Sequence, residues 1–212
     1  MNQIFEEITT YALGIDLYEF VGLVFGLLSV WYLIRESILT WPAGILYVLV
    51  SFVVFWKIQL YGDLLLHIVF LILNVYGWYY WVFGKQTNEN NLPITTYSIQ
   101  QNSTLLLLSC LGIIGFGYFL SNVHLIWGHI PPAALPYWDA TTSILSITGI
   151  WLMSKKKLEN WYYWFVVDVL ACGIYFYKGI YFYSFLYGVY IVMAVAGYLA
   201  WKRSPNLLLR SS

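Results

Sequence analysis

The sequence predicts an all-α polytopic membrane protein of seven transmembrane helices. Three observations carry that prediction: an apolar composition, seven apolar windows of spanning length, and an internal duplication offset by 120 positions. Of the 212 residues, 61% are hydrophobic and only 9% charged, whereas a soluble domain carries roughly a quarter charged residues. An ordinary water-soluble fold is therefore excluded, and with it the large basic surface that nucleic-acid binding would require.

About 20 apolar residues are needed to cross a hydrocarbon core of roughly 30 Å. Windows of that kind fall at 18–34, 41–57, 64–83, 104–120, 138–154, 161–177 and 181–201. The stretch before them, 1–16, has no basic start or small-residue cleavage site; Glu6, Glu7 and Asp16 make it acidic, so it reads as a retained amphipathic or disordered lead. Spans one to three form a unit at 17–83. An inner loop, a linker helix (span four) and an outer loop occupy 84–136, a second unit occupies 137–203, and 204–212 form a tail. Cys110 and Cys172 fall inside apolar spans and read as buried small hydrophobes rather than a disulfide.

Seven spans put the termini on opposite sides, and the basic residues choose the sides. With the N-terminus outside, Arg35, Lys85, Lys155, Lys156, Lys157, Lys202, Arg203 and Arg210 lie inside, against Lys57 and Lys178 outside. The expected orientation is N-out and C-in.

Shifting the sequence by 120 positions superposes Trp31 on Trp151, Trp41 on Trp161, Tyr61 on Tyr181, Gly77 on Gly197 and Trp81 on Trp201, without a gap. A three-helix unit ends on the side opposite its start, so direct fusion would invert the second copy. Span four restores the direction. The expected architecture is thus 3+1+3 with parallel repeats, as in SWEET-type carriers, which rock about the repeat interface.

Asp168, near the middle of span six, is the strongest candidate site residue, because a carboxylate at bilayer depth costs at least a few kcal/mol unless a partner or ligand compensates it. Trp161, Trp164 and Tyr175 share its helix face, and rings beside a carboxylate suit a flat cation. Span three adds Asn74, with His67 and Trp78 on its face; span five adds Asp139, Thr142 and Ser146. The matching position to Asp168 in the first unit is Val48, so one unequal central site is expected rather than two. Trp41, Trp81, Trp161 and Trp201, at inner span ends, read as interfacial anchors. Asp63 with His67, and His124 with His129, supply too few ligands for a metal. No phosphate-binding loop or hydrolase motif is present, so no cofactor and no enzyme activity are expected.

At Leu73 to Trp81 (LNVYGWYYW), at Pro136 to Asp139 (PYWD) and at Glu159 to Trp164 (ENWYYW), the chain resembles the Pnu family of bacterial B-vitamin transporters over all seven spans. The resemblance implies a SWEET-like fold in the bacterial inner membrane and uptake by facilitated diffusion. It also implies retention of the vitamin through phosphorylation by a cytoplasmic kinase that need not touch the carrier; a homo-oligomer is compatible with it. In members carrying nicotinamide riboside the position of Asp168 looks usually to be Asn. The carboxylate here therefore favours thiamine as the expected substrate, with nicotinamide riboside, or a non-transporting vitamin sensor, as the alternatives.

Overall fold

In the computed structural model, which describes residues 2–57, 61–84, 92–126 and 135–208, eight helices account for nearly all of the chain. They are α1 (Asn2–Gly14), α2 (Leu17–Ile34), α3 (Thr40–Lys57), α4 (Tyr61–Phe83), α5 (Ile99–Ile126), α6 (Pro136–Ser154), α7 (Asn160–Tyr177) and α8 (Tyr181–Lys202). Two short strands, β1 (Ile94–Thr95) and β2 (Leu207–Leu208), complete the described elements. Helices α2 to α8 occupy the seven apolar windows, and α1 is the lead, folded as a helix. By length and composition α2, α3, α4, α5 and α8 can cross a membrane. Helices α6 and α7, of 19 and 18 residues, are diluted by Asp139, Thr142 and Ser146 in one and by Asn160, Tyr162, Tyr163 and Asp168 in the other.

Helix α5 begins earlier than its apolar window. Ser98 and Gln101 form a reciprocal cap, with Ser98 N–H donating to Gln101 Oε1 (3.0 Å) and Gln101 N–H to Ser98 Oγ (3.3 Å). This satisfies two orphan donors and starts the helix inside a polar stretch that hydropathy reads as loop. Cys110 is exposed on α5, contrary to its expected burial, and both cysteines are free.

Packing follows the duplication. Helix α3 lies against α2 and α4, and α7 against α6 and α8, while α4 meets α6 and α2 meets α8 between the two groups. Positions 120 apart repeat in detail. The Trp41 ring covers Gly77, where an added Cβ would stand 2.1 Å from it; Trp161 covers Gly197, at 2.2 Å. Trp41 meets Trp81 edge to face at 5.4 Å and 84°, and Trp161 meets Trp201 at 5.5 Å and 87°. Both α2 and α6 end on a non-glycine residue in the left-handed region, Glu36 at φ 53° and Lys156 at φ 51°.

The four tryptophans correct the expectation of interfacial anchors. Trp41, Trp81, Trp161 and Trp201 are 0%, 6%, 2% and 0% exposed. A glycine beneath each of Trp41 and Trp161 removes the side chain that would otherwise force the indole outward. The two groups of helices then exchange hydrogen bonds: Trp81 Nε1 donates to Met153 O (3.2 Å), and Trp201 Nε1 to Leu33 O (2.9 Å). Leu33 and Met153 are themselves 120 positions apart.

The end of the bundle carrying these rings is closed further by the polar segments around it. Thr95 N–H donates to Lys156 O (3.1 Å), Leu158 N–H to Thr95 O (3.0 Å) and Ile94 N–H to Asn206 O (2.9 Å), which places β1 between the α6–α7 turn and the parallel β2. Lys156 Nζ lies 3.0 Å from Glu36 Oε2, donates to Leu92 O (2.7 Å) and stands 4.9 Å above the Trp81 ring. Glu36 also accepts from Ser204 and from Asn206 Nδ2 (3.0 Å). The polar stretch after Gly84 is thus solvated only in part, since Leu92 and Ile94 are buried. Lys85, Glu89, His129 and Arg210 lie outside the described residues, as does the side chain of Asp63.

Two outcomes follow from this joint. Gly197→Ala drives a Cβ into the Trp161 ring and lowers thermal stability by about 1–3 kcal/mol, the usual scale of overpacking; Gly188→Ala, with nothing within 4 Å, serves as the unaffected control in the same melting experiment. Burial alone raises the Glu36 carboxyl, but hydrogen bonds from Ser204, Asn206 and Lys156 outweigh it and hold the group below its ordinary 4.5. Its contribution to stability is full above pH 4.5 and is lost as pH falls through the lowered folded value. Melting temperatures measured against pH should therefore decline in that acid range for the unmodified protein, and less for Glu36→Gln.

Candidate functional site

Asp168 sits two turns into α7 and is 7% exposed. Among the described residues no cation stands within ion-pair range of its carboxylate and no group donates to it. Tyr187 and Tyr190 of α8 lie within electrostatic range of Asp168 and of Tyr47 on α3. Tyr190 and Tyr47 meet over Gly26 of α2, where an added Cβ would stand 2.8 Å from the Tyr190 hydroxyl. A buried carboxylate with no donor among the described residues is a costly arrangement that packing alone does not require.

The residues singled out from the sequence divide into three groups. Asp168, Trp164 and Tyr175 lie on one face of α7. Trp164 packs over Gly149 of α6, with its Nε1 buried and lacking an acceptor. Tyr175 stacks on Tyr187 at 5.4 Å and 13°, which joins it to the Asp168 surroundings.

A second group is buried but engaged in packing. Trp161 belongs to the tryptophan joint. Asn74 donates from Nδ2 to Phe70 O (2.9 Å), and its Oδ1 fills the space over Gly44. His67, 6% exposed, is enclosed by the rings of Phe55, Phe70 and Tyr47 at 4.7, 5.3 and 6.0 Å.

The third group is elsewhere. Trp78 is 41% exposed on the outer surface of α4, because the buried stripe of that helix runs through Asn74, Gly77 and Trp81 and turns Trp78 away from it. Asp139 and Thr142 sit in the first turns of α6, half-buried, and the Thr142 hydroxyl donates to Trp138 O and Asp139 O, each at 3.1 Å. Ser146 is buried farther along the same helix.

The sequence reading missed Tyr47, Tyr187 and Tyr190. The signal was present: Tyr183, Tyr187 and Tyr190 recur at steps of four and three, one face of α8. A cavity of about 370 Å³ bordered by Tyr80, Tyr97, Lys155 and Lys157 lies at the tryptophan end and contains none of the candidate residues.

A family model described as nicotinamide mononucleotide transporter matches residues 16–203. The chain is 29% identical over 205 residues to the nicotinamide riboside transporter PnuC of Escherichia coli (strain K12), covering 89% of this chain and 86% of that one. It is 24% identical to the riboflavin/roseoflavin transporter RibM of Streptomyces davaonensis, covering 86% and 83%, and 25% identical to the nicotinamide riboside transporter PnuC of Neisseria mucosa, covering 86% and 71%. The fold matches a crystal structure of the vitamin B3 transporter PnuC with a TM-score of 0.68 at 21% identity, over 94% of this chain and 87% of that one.

The arrangement around Asp168 makes a stability prediction that separates ligand binding from helix packing. Asp168→Leu replaces a buried carboxyl lacking a donor with an apolar group of the same branching and heavy-atom count. The ligand-free protein should melt higher, by about 1–3 kcal/mol of stability. A lower melting temperature would mean that the carboxylate holds helices together.

Proposed function

The chain belongs to the nicotinamide mononucleotide transporter family, a multi-pass membrane vitamin transporter rather than an enzyme, and we propose that it carries nicotinamide riboside by facilitated diffusion. The observation that carries a cationic substrate is Asp168, a buried carboxylate with no cation of its own among the described residues and with Tyr187 and Tyr190 in electrostatic range; the choice of nicotinamide riboside among cations rests on the relatives. A flat organic cation supplies both missing terms, opposite charge for the carboxylate and an aromatic face for the rings. Riboside rather than mononucleotide is supported by the basic residues. All ten Lys and Arg lie at span ends or in connecting segments, so a phosphate entering at the depth of Asp168 would meet negative charge and no counter-ion. Riboflavin, a neutral ring system, leaves the carboxylate uncompensated.

Two of the relatives described above are named for nicotinamide riboside and one for riboflavin. They support nicotinamide riboside over the thiamine expected from the sequence. Thiamine remains the second reading on a single observation, the carboxylate at position 168, which serves either cation.

The architecture that goes with this function is 3+1+3: α2–α4 and α6–α8 as parallel repeats with α5 as linker. The matched geometry at positions 120 apart supports it. The tryptophan end, with Arg35, Lys155, Lys156 and Lys202 around it, is then the cytoplasmic side.

Purified protein in liposomes tests the whole reading. Labelled nicotinamide riboside should equilibrate without an imposed gradient and be displaced by the unlabelled riboside at lower concentration than by thiamine. Tighter competition by thiamine would reassign the substrate, and accumulation driven by a proton gradient would overturn uniport. Asp168→Asn should weaken binding about tenfold or more, since removing a charge contact of low dielectric is worth several kcal/mol.

A further inference from the structure

A second carboxylate, like Asp168, has no cation within ion-pair range among the described residues. Glu19, in the first turn of α2 at the end of the bundle opposite the tryptophans, accepts from the Tyr11 hydroxyl at Oε2 (3.1 Å) and from the Tyr183 hydroxyl at Oε1 (3.4 Å). The nearby Lys57 is held by Asp16 at 3.6 Å and by the Tyr18 ring at 4.1 Å. Among the described residues no cation is within ion-pair range of Glu19. Glu19 and Asp168 are thus both carboxylates without a positive partner among the described residues, and Glu19 is bracketed by two phenols.

Rings join the two. Tyr183 stacks on Tyr175 at 5.4 Å and 28° and Tyr175 on Tyr187 at 5.4 Å and 13°, with Tyr187 in electrostatic range of Asp168. Tyr175 is two turns from Asp168 along α7, about 10 Å. The ladder therefore runs from the Glu19 end toward the middle of the bundle. Beyond Tyr11, a groove of about 550 Å³ bordered by Glu6, Glu7 and Phe182 opens to the outside. Helix α1, which supplies Tyr11 and packs on α8, forms one wall of that opening.

We propose that Glu19, between Tyr11 and Tyr183, is a peripheral capture site for the same flat organic cation, connected to the Asp168 centre by the stacked rings of Tyr183, Tyr175 and Tyr187. The proposal rests on the transport reading above and adds to it a first binding step on the Glu19 face. Electrostatically, a carboxylate at the mouth raises the local concentration of cations and the rate of entry. Geometrically, the stacked rings give an aromatic wall along which a cation can pass from the mouth toward the middle of the bundle.

The test measures entry and affinity separately. Initial uptake of labelled nicotinamide riboside from the Glu19 face, measured in right-side-out vesicles, gives KM; calorimetry on purified protein gives the equilibrium affinity, which Asp168 dominates. Glu19→Gln should raise KM about fivefold and flatten its dependence on salt, while the affinity stays within about twofold. Glu19→Asp should restore a KM near that of the unmodified protein. Tyr183→Leu, which leaves the carboxylate but removes the ring between the two sites, should also raise KM and serves if Glu19→Gln does not fold. Unchanged KM in a variant that retains the affinity overturns the capture site and leaves the transporter reading intact. Absence of both binding and flux in the unmodified protein overturns that reading, and the capture site with it.

Discussion

The exchange of two indole hydrogen bonds between the two groups of helices sets the conditions for everything else in this structure. Trp81 reaches Met153 O in the last turn of α6 and Trp201 reaches Leu33 O in the last turn of α2, each as a second donor to a carbonyl that already accepts the backbone N–H of Lys156 or Glu36. Removing either indole would leave that carbonyl its backbone donor but cut the bond between the two groups of helices and leave a cavity where the ring had been. The exchange is possible only because Gly77 and Gly197 let Trp41 and Trp161 sink against the neighbouring helices and support the donating rings edge to face. With the Glu36–Lys156 pair and the β1–β2 ladder above it, this end of the bundle is tied by many directional bonds. At the opposite end, among the described residues, Glu19 accepts from Tyr11 and Tyr183 and Lys57 pairs with Asp16.

Much of the architecture was legible because it is periodic. Helix positions follow from runs of apolar residues, the matched packing at positions 120 apart from a gap-free shift, and the burial of Asp168 from its place within an apolar window. Features with no period were lost. The cap from Ser98 and Gln101 starts α5 within a polar segment, and hydropathy cannot see a two-residue hydrogen-bonded box. The tryptophans were taken for a lipid-facing belt because their depth is right for one, yet the glycines opposite them, visible at the same spacing, put them inside. Trp78 was assigned to the site from its four-residue step past Asn74, but that step advances 40° beyond a full turn, enough to leave a narrow stripe. Substrate identity was the least legible feature. A carboxylate specifies positive charge, and nicotinamide riboside and thiamine both have it.

The two copies agree at the joint and differ in the lining. Where α3 has Gly44, α7 has Trp164; where α4 has Asn74, α8 has Ala194; where α3 has Val48, α7 has Asp168. In the first copy a small residue faces an amide whose donor is spent on its own helix, so the space is filled and its polar atoms are largely satisfied. In the second, the large ring keeps a buried N–H without an acceptor and the carboxylate has no donor. Trp41 and Trp161, at matching positions, both keep an indole N–H without an acceptor, so what distinguishes the second copy is the pair Trp164 and Asp168. Unsatisfied groups of this kind destabilise a fold unless something else satisfies them.

The same asymmetry has a physical origin at the joint itself. An approximate twofold relation brings equivalent positions face to face, and residues 36 and 156 meet at 3.0 Å. Identical residues there would set like charge against like in a half-buried site, where water screens poorly. Opposite charges close the same geometry, even with both residues held in the left-handed region that favours glycine. Position 48 against 168 follows the complementary rule away from the axis: two carboxylates would double the desolvation cost, whereas one carboxylate and one valine leave a single charge for a single cation. A duplicated membrane protein can therefore keep its backbone nearly symmetric while its charges cannot remain so, and position 168 is where, among the described residues, that symmetry is broken without a charged partner to compensate.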